Sequence, residues 1–186
     1  MEGLTKRTIV LLLCGFLFIV TLMSVVYYVF VSPTGWKARE DATLAQLASD
    51  DVVSYVALDG SPVDLKSFDG GILIVTVWAS WSPYTKADLV QLHALKNQYG
   101  DRITIRAVNR KEPKETALAY LNTIGREEGI EYIIDETDHF YNALGGYAMP
   151  ETFVFDRIGN ISSHIRGALA SGGLQAEIER LLTISE

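Results

Sequence analysis

Residues 70–100, GGILIVTVWASWSPYTKADLVQLHALKNQYG, change their period in the middle. Ile72 to Trp78 is an apolar run, broken only by Thr76 and rich in β-branched residues, with the length and composition of a strand buried on both faces. Beyond Ser82 and Pro83 the apolar residues recur at Leu89, Leu92 and Leu95, which is the spacing of one helical face. Pro83 suits a first helical position, where its missing N–H costs nothing, Ser82 reads as the N-cap, and Gly100 is a stop. The pattern predicts a helix over 83–99, entered directly from a central strand.

The rest of the chain falls into place around this unit. RITIRAVN, residues 102–109, reads as a second buried strand, and Pro113 opens a helix whose stripe of Ala117, Leu118, Leu121 and Ile124 is ended by Gly129. A short strand at Tyr132–Ile134, a helical turn at Asp138–Leu144, the strand TFVFD, a turn at Gly159-Asn160, a strand at Ile161–Ile165 and a helix over Leu174–Leu182 complete the order. On the other side, VVSYVALDGSPVDL alternates around Asp59-Gly60, a strong hairpin signal. Alternating strands and helices followed by a hairpin and a helix predict a three-layer α/β/α fold, with crossovers covering both faces of one sheet.

Ahead of this domain, Thr8–Val31 contains no charged residue. Its 24 positions, at about 1.5 Å per residue, are enough to cross a hydrocarbon core of about 30 Å. The run is longer than a signal-peptide core and lacks a small-x-small cleavage site, while Tyr27, Tyr28 and Trp36 suit an interfacial aromatic belt. The expected organisation is a cytoplasmic N-terminus (1–7), a transmembrane anchor (8–31), a linker (32–51) and a globular domain (52–186). Lys6 and Arg7 before the span favour a single-pass protein with its domain outside the cytoplasm. Cys14 lacks the small preceding residue of a lipidation site and reads as a small hydrophobe buried within the span.

The chain carries a formal net charge of −7, which argues against nucleic acid as a partner because phosphate binding depends on basic surface. It holds one cysteine, Cys14, so the domain can form neither a disulfide nor a thiolate metal site. His93, His139 and His164 have no metal-ligand spacing. No metal and no cofactor is expected.

Three stretches, VWASWSPYTKADL, IRAVNRKEP and YAMPETFVFDRIGNI, together resemble the membrane-anchored thiol-disulfide oxidoreductases of the TlpA and ResA type, which have a thioredoxin-like fold. In that family W-A-x-W precedes C-P-x-C. Here Ser82 and Thr85 stand at the two cysteine positions, and Asp88 stands at the acidic position that in the family assists proton movement. The resemblance also implies a cis-proline at Pro150, with Met149 before it presenting its backbone to an extended peptide. The implied groove is formed by Trp81, Ser82, Pro83, Tyr84, Thr85, Met149 and Pro150.

Thiol–disulfide exchange proceeds through a thiolate and a mixed disulfide, and a hydroxyl supplies neither. No histidine is expected within reach of Ser82 to make it a hydrolytic nucleophile. With no thiol to serve, Asp88 is expected on the solvated face of its helix. The expected role is therefore non-catalytic, holding an extended polypeptide or acting in envelope assembly. The alternative is a redox or cytochrome c maturation role performed with an external thiol.

Overall fold

The computed structural model describes residues 6–30, 55–64 and 71–184. The expected linker, 32–51, lies outside the described residues, as do 52–54. The chain divides into two compact units, residues 1–46 and 47–186.

In the first unit, Lys6–Phe30 forms helix α1 of 25 residues. Its side chains are described at Leu12 and from Cys14 to Tyr27. Cys14 lies on the surface of this helix. Among the described residues no helix is long and apolar enough to cross a membrane.

In the second unit, the strands are β1 (Tyr55–Ala57), β2 (Pro62–Val63), β3 (Ile72–Trp78), β4 (Ile103–Arg110), β5 (Glu131–Asp135), β6 (Glu151–Phe155) and β7 (Ile161–Arg166). They form one mixed sheet in the order β2-β1-β5-β4-β3-β6-β7. β3, β4 and β5 run parallel, while β6 is antiparallel to β3 and β7 is antiparallel to β6. The helices are α2 (Thr85–Tyr99), α3 (Lys114–Ile124), α4 (His139–Ala143) and α5 (Gly173–Thr183). At the predicted hairpin, the Asp59 carboxylate accepts the Ser61 N–H at 2.8 Å and Gly60 takes φ +89°, a turn in which glycine meets no Cβ penalty.

All seven residues of β3 are buried, as its composition predicted. The strand's alternation divides them between two cores. Ile72, Ile74 and Trp78 join Leu89, Leu92 and Leu95 of α2, Ala117 and Leu121 of α3, and Leu174 and Ile178 of α5. On the opposite face Val75 is registered with Phe153, whose ring meets Phe140 of α4 edge-on at 6.0 Å. Helices thus lie on both sides of the sheet.

Two predicted helix boundaries move. α3 stops at Gly125 rather than Gly129, because Gly125 takes φ +83° and ends the ladder one turn earlier; Pro113 caps this helix from outside. α2 begins at Thr85 rather than Pro83, for a reason that lies in the candidate site.

Candidate functional site

The strand registers bring five chain segments to one end of the sheet. Trp78 is paired with Asn109, Arg110 with Asp135, Val77 with Glu151, and Glu151 with Arg166. The carboxyl ends of the three parallel strands therefore share an edge with the start of β6 and the end of β7. That edge of an open α/β sheet is where ligands generally bind.

Between β3 and α2 the chain makes two successive turns. Ser82 N–H donates to Ala79 O at 3.1 Å and Thr85 N–H donates to Ser82 O at 3.4 Å. Tyr84, not Ser82, occupies the N-cap position, and no side chain caps the helix. The Ser82 N-cap reading is corrected for this reason: the second turn lies between Ser82 and the helix, so that Ser82 precedes the N-cap residue by two positions. Thr85 Oγ1 donates to Ala79 O at 2.9 Å and so ties the two turns together. Ser82 is 2% exposed, and its hydroxyl has no hydrogen-bond partner. No histidine supplies it with a base: His93 is bonded to Glu128 O, His139 to the Tyr55 hydroxyl and His164 to Glu151.

Asp88 overturns its expected place. It is buried in the first turn of α2, where Oδ1 accepts the Leu169 N–H at 3.1 Å and Oδ2 has no hydrogen-bond partner. Burial raises its carboxyl above the ordinary aspartate value, and the Leu169 bond only partly opposes this. The solvated reading failed because a helical position three residues past Thr85 faces whichever loop the fold lays across it. Here that loop follows β7.

Trp78 is buried against Tyr120 and Tyr132, at ring distances of 5.9 and 6.4 Å. Trp81 and Tyr84 are exposed. A set of residues that the sequence reading missed holds this loop down. Buried Glu112 accepts the Ser80 N–H at 2.8 Å, the Ser80 hydroxyl, and Asn109 Nδ2 at 2.7 Å. The available signal lies in IRAVNRKEP, where Asn109 and Glu112 stand three residues apart at the end of a buried strand.

The Met149–Pro150 bond is cis. The segment around it is held from all sides. Ala148 O accepts the Tyr141 hydroxyl at 2.7 Å, Pro150 O accepts the Gly167 N–H at 2.8 Å, and Glu151 Oε1 accepts the N–H groups of Tyr147 and Ala148 at 2.9 and 2.6 Å. Met149 is different, since its backbone N–H and C=O have no hydrogen-bond partner among the described residues. Glu151 Oε2 meets His164 Nε2 at 2.8 Å. Burial raises the Glu151 carboxyl, but the bonds from His164, Tyr147 and Ala148 outweigh it and hold the group below its ordinary value. Among the described residues no cluster of His, Cys, Asp or Glu is placed to hold a metal ion.

At this edge of the sheet the Met149 backbone is left unbonded and Trp81 and Tyr84 are exposed, and among the described residues no base is bonded to the Ser82 hydroxyl. Known proteins agree with the architecture. The Redoxin family profile matches residues 38–182. The thiol-disulfide oxidoreductase ResA of Geobacillus thermodenitrificans is 25% identical over 181 residues, covering 97% of each chain. The thiol:disulfide interchange protein DsbE of Vibrio cholerae is 32% identical over 106 residues, 57% of this chain and 55% of that one. The chain thus matches about half the length of this relative. A solved thiol:disulfide interchange protein of the thioredoxin family from Chlorobium tepidum superposes with a TM-score of 0.58 at 23% identity, over 70% of this chain and 92% of that one.

Proposed function

The chain belongs to the Redoxin family, with Ser82 and Thr85 in place of the two active-site cysteines, and from that membership we propose that it is a non-catalytic thioredoxin-like domain that holds an extended polypeptide. The observation that carries this reading is Met149. Its unpaired N–H and C=O lie in a loop whose neighbouring backbone groups are already bonded within the protein. An extended chain laid beside Met149 would satisfy both groups, a mode of recognition that needs backbone and an apolar platform but no sulfur. Trp81 and Tyr84 supply the platform, and Ser82, Pro83, Thr85 and Pro150 its floor.

Residues 8–31 tether the domain to a membrane in this reading, with 32–51 as linker and residues 52–186 facing outside the cytoplasm. Support comes from the uncharged stretch of the sequence itself, whose 24 positions, at about 1.5 Å per residue in a helix, would reach across a hydrocarbon core of about 30 Å.

One observation favours a second reading, in which the protein serves envelope redox chemistry or cytochrome c maturation with an external thiol. Asp88 keeps a buried carboxyl, raised above its ordinary value by burial, in the first turn after the degenerate motif. A photo-crosslinker placed at Tyr84 or Met149, compared with one at Glu179 on α5, tests the binding reading in intact envelopes. Strong, discrete crosslinks at the first two positions are expected; equal and low crosslinking at all three would leave an assembly scaffold as the better account.

A further inference from the structure

Both walls of the groove lead back to the end of β4. The alternation of this strand sends Asn109, registered with Trp78, to the face covered by α2 and α3, and sends Arg110 to the face of α4. On the first face Asn109 Nδ2 donates to Glu112 Oε2 at 2.7 Å, and the same Glu112 oxygen accepts the Ser80 N–H at 2.8 Å. Ser80 directly precedes Trp81, so this arm ends at the wall that carries Trp81 and Tyr84.

The second arm starts one residue away. Arg110 Nε donates to Asp138 Oδ1 at 2.7 Å, and a second bond to Asp138 Oδ2 makes a two-point grip just ahead of α4. The Arg110 guanidinium carbon lies 3.7 Å from the centroid of the Tyr141 ring, and the Tyr141 hydroxyl donates to Ala148 O at 2.7 Å. Gly146 lies against the same ring, where an added Cβ would overlap it. Burial pushes the Tyr141 hydroxyl up to about 12, so it stays a donor at neutral pH. Ala148 directly precedes Met149, so this arm ends at the other wall. Between the arms Lys111 takes φ +54°, a left-handed conformation uncommon in a residue with a side chain, and donates its N–H to Asp135 O at 2.8 Å. Backbone of this kind persists only where its surroundings over-determine it. Here it turns the chain so that Glu112 comes back to Asn109 while Arg110 stays with α4.

We infer that Arg110 and Glu112 are positioning residues, and that the end of β4 is a bracket that sets the two walls of the groove independently, Glu112 through Ser80 and Arg110 through Tyr141. This rests on the reading of the site as a polypeptide groove and adds what fixes its shape. An extended chain that touches Trp81, Tyr84 and Met149 together needs both walls in place before it arrives, so loosening either one weakens binding through lost preorganisation.

The test uses the full chain in detergent micelles, with amide hydrogen exchange read separately over 79–84, 144–149 and the core strand 72–78. Glu112→Gln removes one of the two acceptor oxygens that face Ser80, and should speed exchange about three- to tenfold over 79–84 while leaving 144–149 unchanged. Tyr141→Phe keeps the ring beside Arg110 and loses the bond to Ala148; Arg110→Lys keeps the charge and loses the two-point grip. Both should speed exchange over 144–149 and spare 79–84. Faster exchange in all three segments would show general destabilisation, and no local change would show that the arms hold nothing; either result overturns the bracket. Photo-crosslinkers at Tyr84 and Met149 in intact envelopes then separate the bracket from the groove. Discrete crosslinks at both positions should fall several-fold in each variant. Crosslinks at wild-type yield in variants whose local exchange has risen would overturn the positioning role. A wild type that gives no crosslinks at either position, with the local exchange pattern as expected, would overturn the polypeptide reading and leave the bracket standing.

Discussion

Glu151 and His164 meet at 2.8 Å with side chains 0% and 1% exposed, and through the other Glu151 oxygen the pair holds the two N–H groups that precede Met149. The His164 ring is also stacked on Phe153 at 4.1 Å. A buried polar group left without its hydrogen-bond partner is costly, so Glu151→Ala or His164→Ala should each cost about 1–3 kcal/mol in urea unfolding. An effect below about 1 kcal/mol would mean that water replaces the missing partner.

The same carboxylate sets an acid limit. Because the folded Glu151 value lies below its ordinary 4.5, its contribution is present above pH 4.5 and is lost as pH falls through the depressed folded value. Wild-type stability should therefore drop more steeply below pH 4.5 than that of Glu151→Gln. Parallel curves would remove Glu151 as the cause.

Asp88 has the opposite sign. Its folded value is raised above 3.8, so ionising it in the folded state works against folding, and stability declines as pH rises from about 3.8 through the raised value. Asp88→Asn keeps an oxygen for the Leu169 N–H and removes the titration. It should melt a few degrees higher than wild type at pH 8, with the gain disappearing near pH 4. A gain that does not change with pH would point to packing instead.

Purified residues 37–186 should not reduce insulin disulfides above buffer, because no thiol remains in them. Ser82→Cys with Thr85→Cys should form a disulfide under mild oxidation, since a single backbone turn joins the two positions. Two free thiols persisting in that double variant would contradict the geometry of this loop. Dithiothreitol-dependent turnover by the wild type would instead favour the reading with an external thiol.

Leu92 sits fully buried between α2 and the sheet. Leu92→Ala should cost about 2–5 kcal/mol through lost burial and the cavity left behind. Val90→Ala, on the exposed side of the same helix, should change stability by less than about 0.5 kcal/mol.

A reporter fused at Glu186 should be active only outside the cytoplasm, and the mature chain should retain its N-terminal segment. Cytoplasmic activity, or a mature chain that starts near Trp36, would remove the tether.

The sequence by itself determined the elements and the family, because both depend on local information. The run from Ile72 to Trp78, apolar but for Thr76, had to be buried on both faces, Leu89, Leu92 and Leu95 had to share one helical face, and the absence of any cysteine after Cys14 settles that the domain has no thiol, whatever the tertiary fold. Tertiary structure alone decided where the polar side chains went. Asp88 looks like a solvated helix residue until the loop after β7 lays the Leu169 N–H over it. Ser82 looks like a cap until a second turn separates it from the helix start. Glu112 and Ser80, Glu151 and His164, Arg110 and Asp138 are pairs made between strand ends or loops that the register brings together. A polar residue's burial depends on a partner distant in the chain, whereas hydrophobic periodicity is written into consecutive residues.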